Sequence, residues 1–273
     1  KETLAVEQKC SIARAAAQLI NADDFGQTES CTKAIYEAFE SGLITDTTMV
    51  ANGESMELAF TLVPKMKGRI GVHLNLTEGT ALTPEIQQNP KFVSNGRFTD
   101  YFKGRSTYFR HLSKKDRQDL YTELTAQVDR LMDEGIEISH VDSHHHIHYN
   151  WMLAPIIFRV CREHSIYRIR CHKNVAGRFK LWNGLYARLY RLRLRWSGFR
   201  SPNHFESIRM YEKPLAGISE MMVHPDYNPD GLLIDRQKKE HLPDGQIIAQ
   251  GQDLESLIRK HSGNAQKIEY GLL

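Results

Sequence analysis

Short apolar runs alternate with helix-length amphipathic stretches along most of this 273-residue chain, and that alternation constrains the fold more than any other feature. AAQLIN (16–21) reads as a strand, followed by a helix over about 28–41. TDTTMVAN (45–52) reads as a second strand with a helix near 54–62, and RIGVHLNL (69–76) as a third strand. Residues 77–112 are loop-like, punctuated by Pro84, Pro90, Gly96 and Gly104. Leu120, Leu124, Val128, Leu131 and Met132 recur at helical spacing and predict a long amphipathic helix over about 114–134. A strand through 136–148, a helix over 151–164, a strand YRIRC (167–171) and a basic helix over about 179–197 follow. A strand GISEMMV (217–223), a helix over 252–261 and a strand KIEYGL (267–272) complete the pattern. Repeated βα units predict a parallel sheet covered by helices. About seven such strands in one domain point to an irregular, TIM-barrel-like (β/α) barrel, with a doubly wound open sheet as the alternative. In either case ligands bind at the carboxyl ends of the strands.

Composition narrows the class. With 41% hydrophobic and 25% charged residues, the chain is an ordinary globular one, long enough for one large core or two small ones. A net charge of +3 is too small to imply nucleic-acid binding. No run approaches the roughly 20 apolar residues of a membrane span, and the N-terminus lacks the pattern of a signal peptide. Cys10, Cys31, Cys161 and Cys171 show no CxxC spacing, which favours thiols in a reducing cytoplasm over a disulfide or zinc–thiolate framework.

The segment HVDSHHHIH (140–148) holds five of the thirteen histidines. His140, Asp142, His144, His146 and His148 are all even-numbered, so on a strand they share one face. His145 would point into the barrel wall. Neutral imidazole is the commonest side-chain metal ligand, and an internal, patterned cluster containing an aspartate differs from a solvated His run.

Three further motifs sit where strands end. NADDFG (21–26) pairs Asp23 and Asp24, which cannot both point one way on a regular strand; one can bind metal while the other stays free as a base. GVHLNL (71–76) places His73 in an apolar strand, with Gly71 and Asn75 on the same face. HPDY (224–227) puts His224 directly after an apolar strand. Each alone has a bland reading: an acidic turn, a core histidine, an exposed loop histidine. A barrel would gather them on one rim. Asp plus two His suits a divalent metal with open positions, and a second carboxylate with a further histidine supplies acid–base groups. That combination is metal-assisted hydrolysis of an amide or ester.

INADDFG, GVHLNLTEG, HVDSHHHIH and EMMVHPDY, in this order and spacing, resemble the YdjC-like carbohydrate deacetylases, which include chito-oligosaccharide deacetylase. The resemblance covers roughly residues 18–230. It implies an irregular (β/α) barrel over 16–273, with 1–15 as an N-terminal extension, and it is loose after about residue 236. It implies one divalent ion, Mg or Zn foremost with Mn or Co as alternatives, and removal of acetyl groups from N-acetylated mono- or oligosaccharides. Carried over by position, Asp24, His73 and His144 would bind the metal. Asp23 would be the general base, His224 would protonate the departing amine, and Arg170 would hold the base carboxylate. Asp142 would orient a histidine. His146, His148 and Asn75 would lie near substrate. Members of such a family can form homodimers.

The basic segment 178–200 is amphipathic, with Leu181, Leu185, Leu189, Leu192 and Trp196 on one face and Arg188, Arg191 and Arg195 on another. The expectation is a barrel-wrapping helix with solvated arginines; peripheral contact with a membrane surface is the sharper alternative. The rival functions are a metal-dependent amidohydrolase acting on a non-sugar amide and a non-catalytic metal-binding protein.

Overall fold

A computed structural model describes residues 16–66, 70–172, 180–211, 215–241, 247–263 and 265–273. The expected extension 1–15 lies outside the described residues. The strands are β1 (Ala16–Phe25), β2 (Asp46–Met49), β3 (Ile70–Leu74), β4 (Val93–Ser94), β5 (Arg97–Phe98), β6 (Ile138–Ser143), β7 (His204–Ser207), β8 (Gly217–Val223), β9 (Pro225–Tyr227), β10 (Leu233–His241), β11 (Ile247–Asp253) and β12 (Gln266–Lys267). The helices are α1 (Glu29–Glu40), α2 (Met56–Leu62), α3 (Pro84–Gln87), α4 (Lys114–Asp133), α5 (Ala154–Glu163), α6 (Lys180–Trp196) and α7 (Leu254–Ser262).

The principal sheet runs β6-β3-β2-β1-β8-β7, with β12 also paired to β1, and every pairing in it is parallel. It curls. Beyond β6 it continues through parallel bridges Val141–Ile169 and Arg168–Arg200, and the chain then enters β7. The predicted strand at 167–171 is therefore reduced to single bridges, because it borrows each neighbour for only one or two residues. The predicted strand at 267–272 shrinks to Gln266–Lys267, after which Tyr270–Leu272 turns into a 3-10 helix. Among the described residues of 225–253 there is no βα unit. They form an antiparallel sheet, β11-β10-β9, laid beside the barrel mouth.

Alternation along the strands sorts two environments. Ile70, Val72 and Leu74 of β3, Val141 of β6, and Met221 and Val223 of β8 face the helical layer and join one large core with Leu120, Leu124, Val128 and Leu131 of α4. Burying each such side chain contributes roughly 1.5–3 kcal/mol. The opposite face fills the barrel with polar groups: Asp46, Thr48, His73, His140, Asp142, Arg170 and Glu220, all buried. Gly71 belongs to this face, and a Cβ there would come 2.7 Å from the His140 ring. A glycine is what lets that imidazole cross the barrel. Tyr270 closes the floor: its ring stacks on His140 at 3.6 Å, its backbone N–H donates to Asp46 Oδ1 at 3.0 Å, and its hydroxyl donates to Glu220 Oε2.

α4 starts with a capping box in which Ser113 and Asp116 satisfy each other's backbone donors, so its start is encoded locally. α6 corrects the expectation that its leucine-rich stripe wraps the barrel. Ala187, Tyr190 and Leu194 are the buried face, while Leu185, Leu189 and Trp196 are exposed. Tyr186 and Tyr190 win the barrel side because their hydroxyls reach backbone carbonyls of Tyr149 and His148, contacts no leucine can make.

Candidate active site

β1 does not end before its two aspartates, as the sequence suggested, but runs through them. A register shift between Ala22 and Phe25, with Asp24 at φ 78°, breaks the alternation. The bulge turns both carboxylates toward the barrel mouth, something a regular strand forbids. Aspartate tolerates the left-handed region better than most side chains do.

β6 ends at Ser143, and His144–Tyr149 forms a kinked 3-10 turn in which His145 (φ 51°) and His146 (φ 55°) are both left-handed. Two successive non-glycine residues there cost on the order of 1–3 kcal/mol each. The even-numbered comb predicted for 140–148 is thus overturned beyond Asp142. His140 and Asp142 share the barrel interior, but His144 and His148 part company. His144 reaches the mouth. His148 is buried with its Nδ1 2.5 Å from Ser143 Oγ. His145, expected in the wall, stands at the mouth with Nδ1 3.0 Å from Thr77 Oγ1.

The mouth is a cavity of about 500 Å³ lined by Asp23, Asp24, His73, Glu78, Lys103, His144, His145, His146, Arg209, Met222, His224 and Arg236, among others. Asp24 Oδ1 lies 2.9 Å from His144 Nδ1 and 3.4 Å from His73 Nε2. These three side chains form one of the metal-capable clusters among the described residues; Glu78–His144–His145 and Asp23–His73–Asp142 are others. Asp142 Oδ1 sits 2.6 Å from His73 Nδ1, and Thr48 Oγ1 donates to Asp142 Oδ2 at 3.0 Å. A carboxylate on one ring nitrogen leaves the other turned to the cluster, the arrangement that metal-binding histidines use. Burial works against an imidazolium at His144, yet Asp24 and Glu78 on its two nitrogens push it up to about 10. The cluster thus calls for positive charge. Its mixed oxygen and nitrogen donors fit a single divalent ion with positions left open.

Asp23 lies beside this cluster but is held differently. Arg170 grips it in a fork, Nη2 to Oδ1 at 2.6 Å and Nη1 to Oδ2 at 2.7 Å, and Asn21 Nδ2 donates to Oδ1 at 2.9 Å. Burial would raise this carboxyl, but the guanidinium outweighs it and holds Asp23 well below the usual range. Arg170, itself fully buried, also meets Asp142 Oδ2 and Glu220 Oε1, both at 2.7 Å.

The other expected site residues divide between the cavity wall and the turns behind it. His224 lines the cavity, and its backbone N–H donates to Asp235 Oδ1 at 2.8 Å. His146 also lines the cavity and stacks on Tyr149. Asn75 is buried within its own loop: Nδ2 donates to Asn52 Oδ1 and to the Glu78 carbonyl, while Oδ1 accepts from the backbone of Thr77 and Glu78. It shapes the turn that presents Glu78. Sequence reading missed Glu78, Lys103, Arg209 and Arg236. Arg236 Nη2 donates to Asp24 Oδ2 at 2.7 Å and Nη1 to Asp226 Oδ2 at 3.1 Å. It arrives from the antiparallel β10, which no local pattern had linked to the mouth. Glu78 does lie in GVHLNLTEG, so the motif carried that signal.

A curled parallel sheet with metal-capable groups at its carboxyl rim defines the class of protein. The family model described as YdjC-like protein matches residues 19–262. The chain belongs to the YdjC-like family. Two proteins named carbohydrate deacetylase, from Halalkalibacterium halodurans and Oceanobacillus iheyensis, are similar to it at 31% and 32% identity, covering 77% and 78% of this chain and 84% and 86% of theirs. A third of that name, from Vibrio campbellii, is 34% identical over 157 residues, where the match covers 54% of this chain and spans only 56% of the relative's length. Among solved structures, an Enterococcus faecalis V583 protein provisionally named for cellobiose-phosphate cleavage matches with a TM-score of 0.58 and 25% identity, over 78% of this chain and 82% of that one.

Proposed function

We propose that this protein is a metal-dependent carbohydrate deacetylase that hydrolyses the acetamide of N-acetylated sugars of the chitobiose or chito-oligosaccharide type. The carrying observation is the division of labour between neighbouring carboxylates: Asp24 faces two imidazoles, and Asp23 faces a guanidinium fork. Relatives named carbohydrate deacetylase support the substrate class.

In this reading Asp24, His73 and His144 hold one divalent ion, magnesium or zinc foremost, with manganese or cobalt as alternatives. When bound, such an ion supplies Lewis-acid polarisation of the amide carbonyl. Asp23, kept ionised by Arg170, accepts the proton of the attacking water as its oxygen bonds to the carbonyl carbon. Arg170 keeps that carboxylate aimed, since a bidentate fork fixes orientation as well as charge. The carbon–nitrogen bond then breaks, and His224 gives a proton to the amine as acetate and the free aminosugar leave. Burial, helped by Arg236, outweighs Asp24, Asp23 and Asp235 and holds His224 below the usual histidine range, so the imidazolium that this step needs forms only as the substrate reacts. In this reading His146, which lines the cavity, touches the sugar. Asn75 acts through Glu78, and His148 acts through the turn it anchors. Buried cysteines that form no disulfide with one another, Cys31, Cys161 and Cys171, fit action in the cytoplasm.

The test is acetate release from a panel of N-acetylated mono- and oligosaccharides, using metal-stripped protein with single divalent ions added back. Release from at least one sugar, abolished by stripping and restored by one ion, is the expected result. Metal-independent release would overturn the metal assignment; no release from any sugar, with cleavage of a non-sugar amide, would overturn the substrate assignment.

A further inference from the structure

α6 buries one face through Ala187, Tyr190 and Leu194 and leaves the opposite one to solvent. On that outer face Trp182 is 76% exposed, Leu185 49%, Leu189 45% and Trp196 85%. Together with the half-buried Leu192, they are spaced three and four residues apart and form one apolar stripe about 21 Å long. Arg188 and Arg195 flank the stripe and are exposed. From Lys180 to Arg200 the sequence carries no Asp or Glu. Near this helix Phe109 is also 66% exposed, and it packs edge-on against the Tyr186 ring at 6.1 Å. Soluble proteins rarely leave such contiguous apolar area uncovered.

Two features choose the occupant. A second copy of this chain would bring one acid-free, arginine-flanked helix against another, and like charges across such a seam repel. An anionic surface reverses that sign. Tryptophan at both ends, rather than branched aliphatic residues throughout, suits a water–lipid boundary better than a helix–helix seam. We propose that the outer face of α6 docks this protein onto an anionic phospholipid surface, with Trp182, Leu185, Leu189 and Trp196 entering the headgroup boundary and Arg188 and Arg195 meeting lipid phosphates. Because Tyr186 and Tyr190 tie α6 to the carbonyls of Tyr149 and His148, the docked helix is fastened to the turn that carries His144. The proposal does not depend on the chemistry assigned to the pocket.

The experiment is co-sedimentation of the full chain with vesicles of phosphatidylcholine alone and of phosphatidylcholine mixed with phosphatidylglycerol. Binding is expected only to the mixed vesicles, and it weakens as ionic strength rises. Two of the three tryptophans lie on the stripe, so emission should shift to the blue on binding. The double variant Trp182→Ser, Trp196→Ser should lose about tenfold or more in vesicle affinity with an unchanged circular dichroism spectrum. Arg188→Gln with Arg195→Gln should remove most of the salt dependence. Absence of wild-type binding to the mixed vesicles, or equal binding by the tryptophan variant, overturns the proposal. So does a wild-type dimer in sedimentation equilibrium that the tryptophan variant converts to monomer without any vesicle binding, which would make a second copy the occupant.

Discussion

Asp23 and Asp24 at the barrel rim, and Glu220 and Asp46 nearer its floor, are all buried to nearly the same degree. They nevertheless lie on opposite sides of the usual carboxylate range. Burial alone pushes every one of them up. At the rim it is outweighed: Arg170 holds Asp23 down, and His144, His73 and Arg236 hold Asp24 down. At the floor the partners are too few. Asp46 has a hydroxyl and a backbone N–H and is pushed up to about 7; Glu220 shares Arg170 with two other carboxylates and is also pushed up to about 7. The comparison teaches that position in the barrel matters less than the count of cations per carboxylate. The rim is built to keep negative charge, the floor to tolerate its loss.

The largest effects should come from separating the two rim aspartates. Asp24→Ala should lower bound divalent metal in an elemental assay and reduce turnover by roughly a thousandfold or more. Asp23→Asn should retain metal and still lose on the order of 10²–10⁴ in kcat. If the two variants lose metal equally, the division of labour drawn here is wrong. Next is the cation shared by rim and floor. Arg170→Met leaves three buried carboxylates without it and should destabilise the fold by roughly 3–5 kcal/mol. Arg170→Lys should recover part of that stability but little of the activity, because an ammonium cannot form the fork on Asp23. A lysine variant with full activity would show that only charge is needed.

The smallest effect isolates the floor. The folded state holds a proton on Asp46 up to about 7, against an ordinary 3.8. Its contribution is therefore favourable below about pH 4 and is lost as pH rises through 7. Asp46→Asn should match wild type in denaturant melts at pH 4 and exceed it at pH 8 by up to about 4 kcal/mol, less whatever Thr45 and Tyr270 compensate. Equal stability at both values would mean that Thr45 and Tyr270 compensate the charge fully.

Much of this was legible in the chain before any coordinates. Periodicity located β1, β3, β6, β8 and α4, because in each the side chains on one face meet a single environment. NADDFG, His73, His144 and His224 were legible as candidates because strand ends of a parallel barrel converge, and the structure brings them to one cavity. Other features were not legible, for reasons that are physical. The left-handed pair His145–His146 interrupts a pattern that looks perfectly alternating in one dimension. The leucine stripe of α6 looks like a core face, and only the reach of the Tyr186 and Tyr190 hydroxyls turns it outward. Arg236 arrives from an antiparallel strand whose own alternation says nothing about Asp24, 212 residues away in sequence.

The sequence by itself determined which segments become strands and helices, and which side chains are able to ligate a metal or move a proton. Those are local properties: hydrophobic period, capping groups and the chemistry of a residue type. The tertiary structure alone decided which of them meet. It parted His144 from His148, brought Arg236 onto Asp24, and set the charge state of each buried carboxylate. Such outcomes depend on distances of a few ångströms between elements far apart in the chain, and Coulomb energy in a dry barrel is governed by those distances.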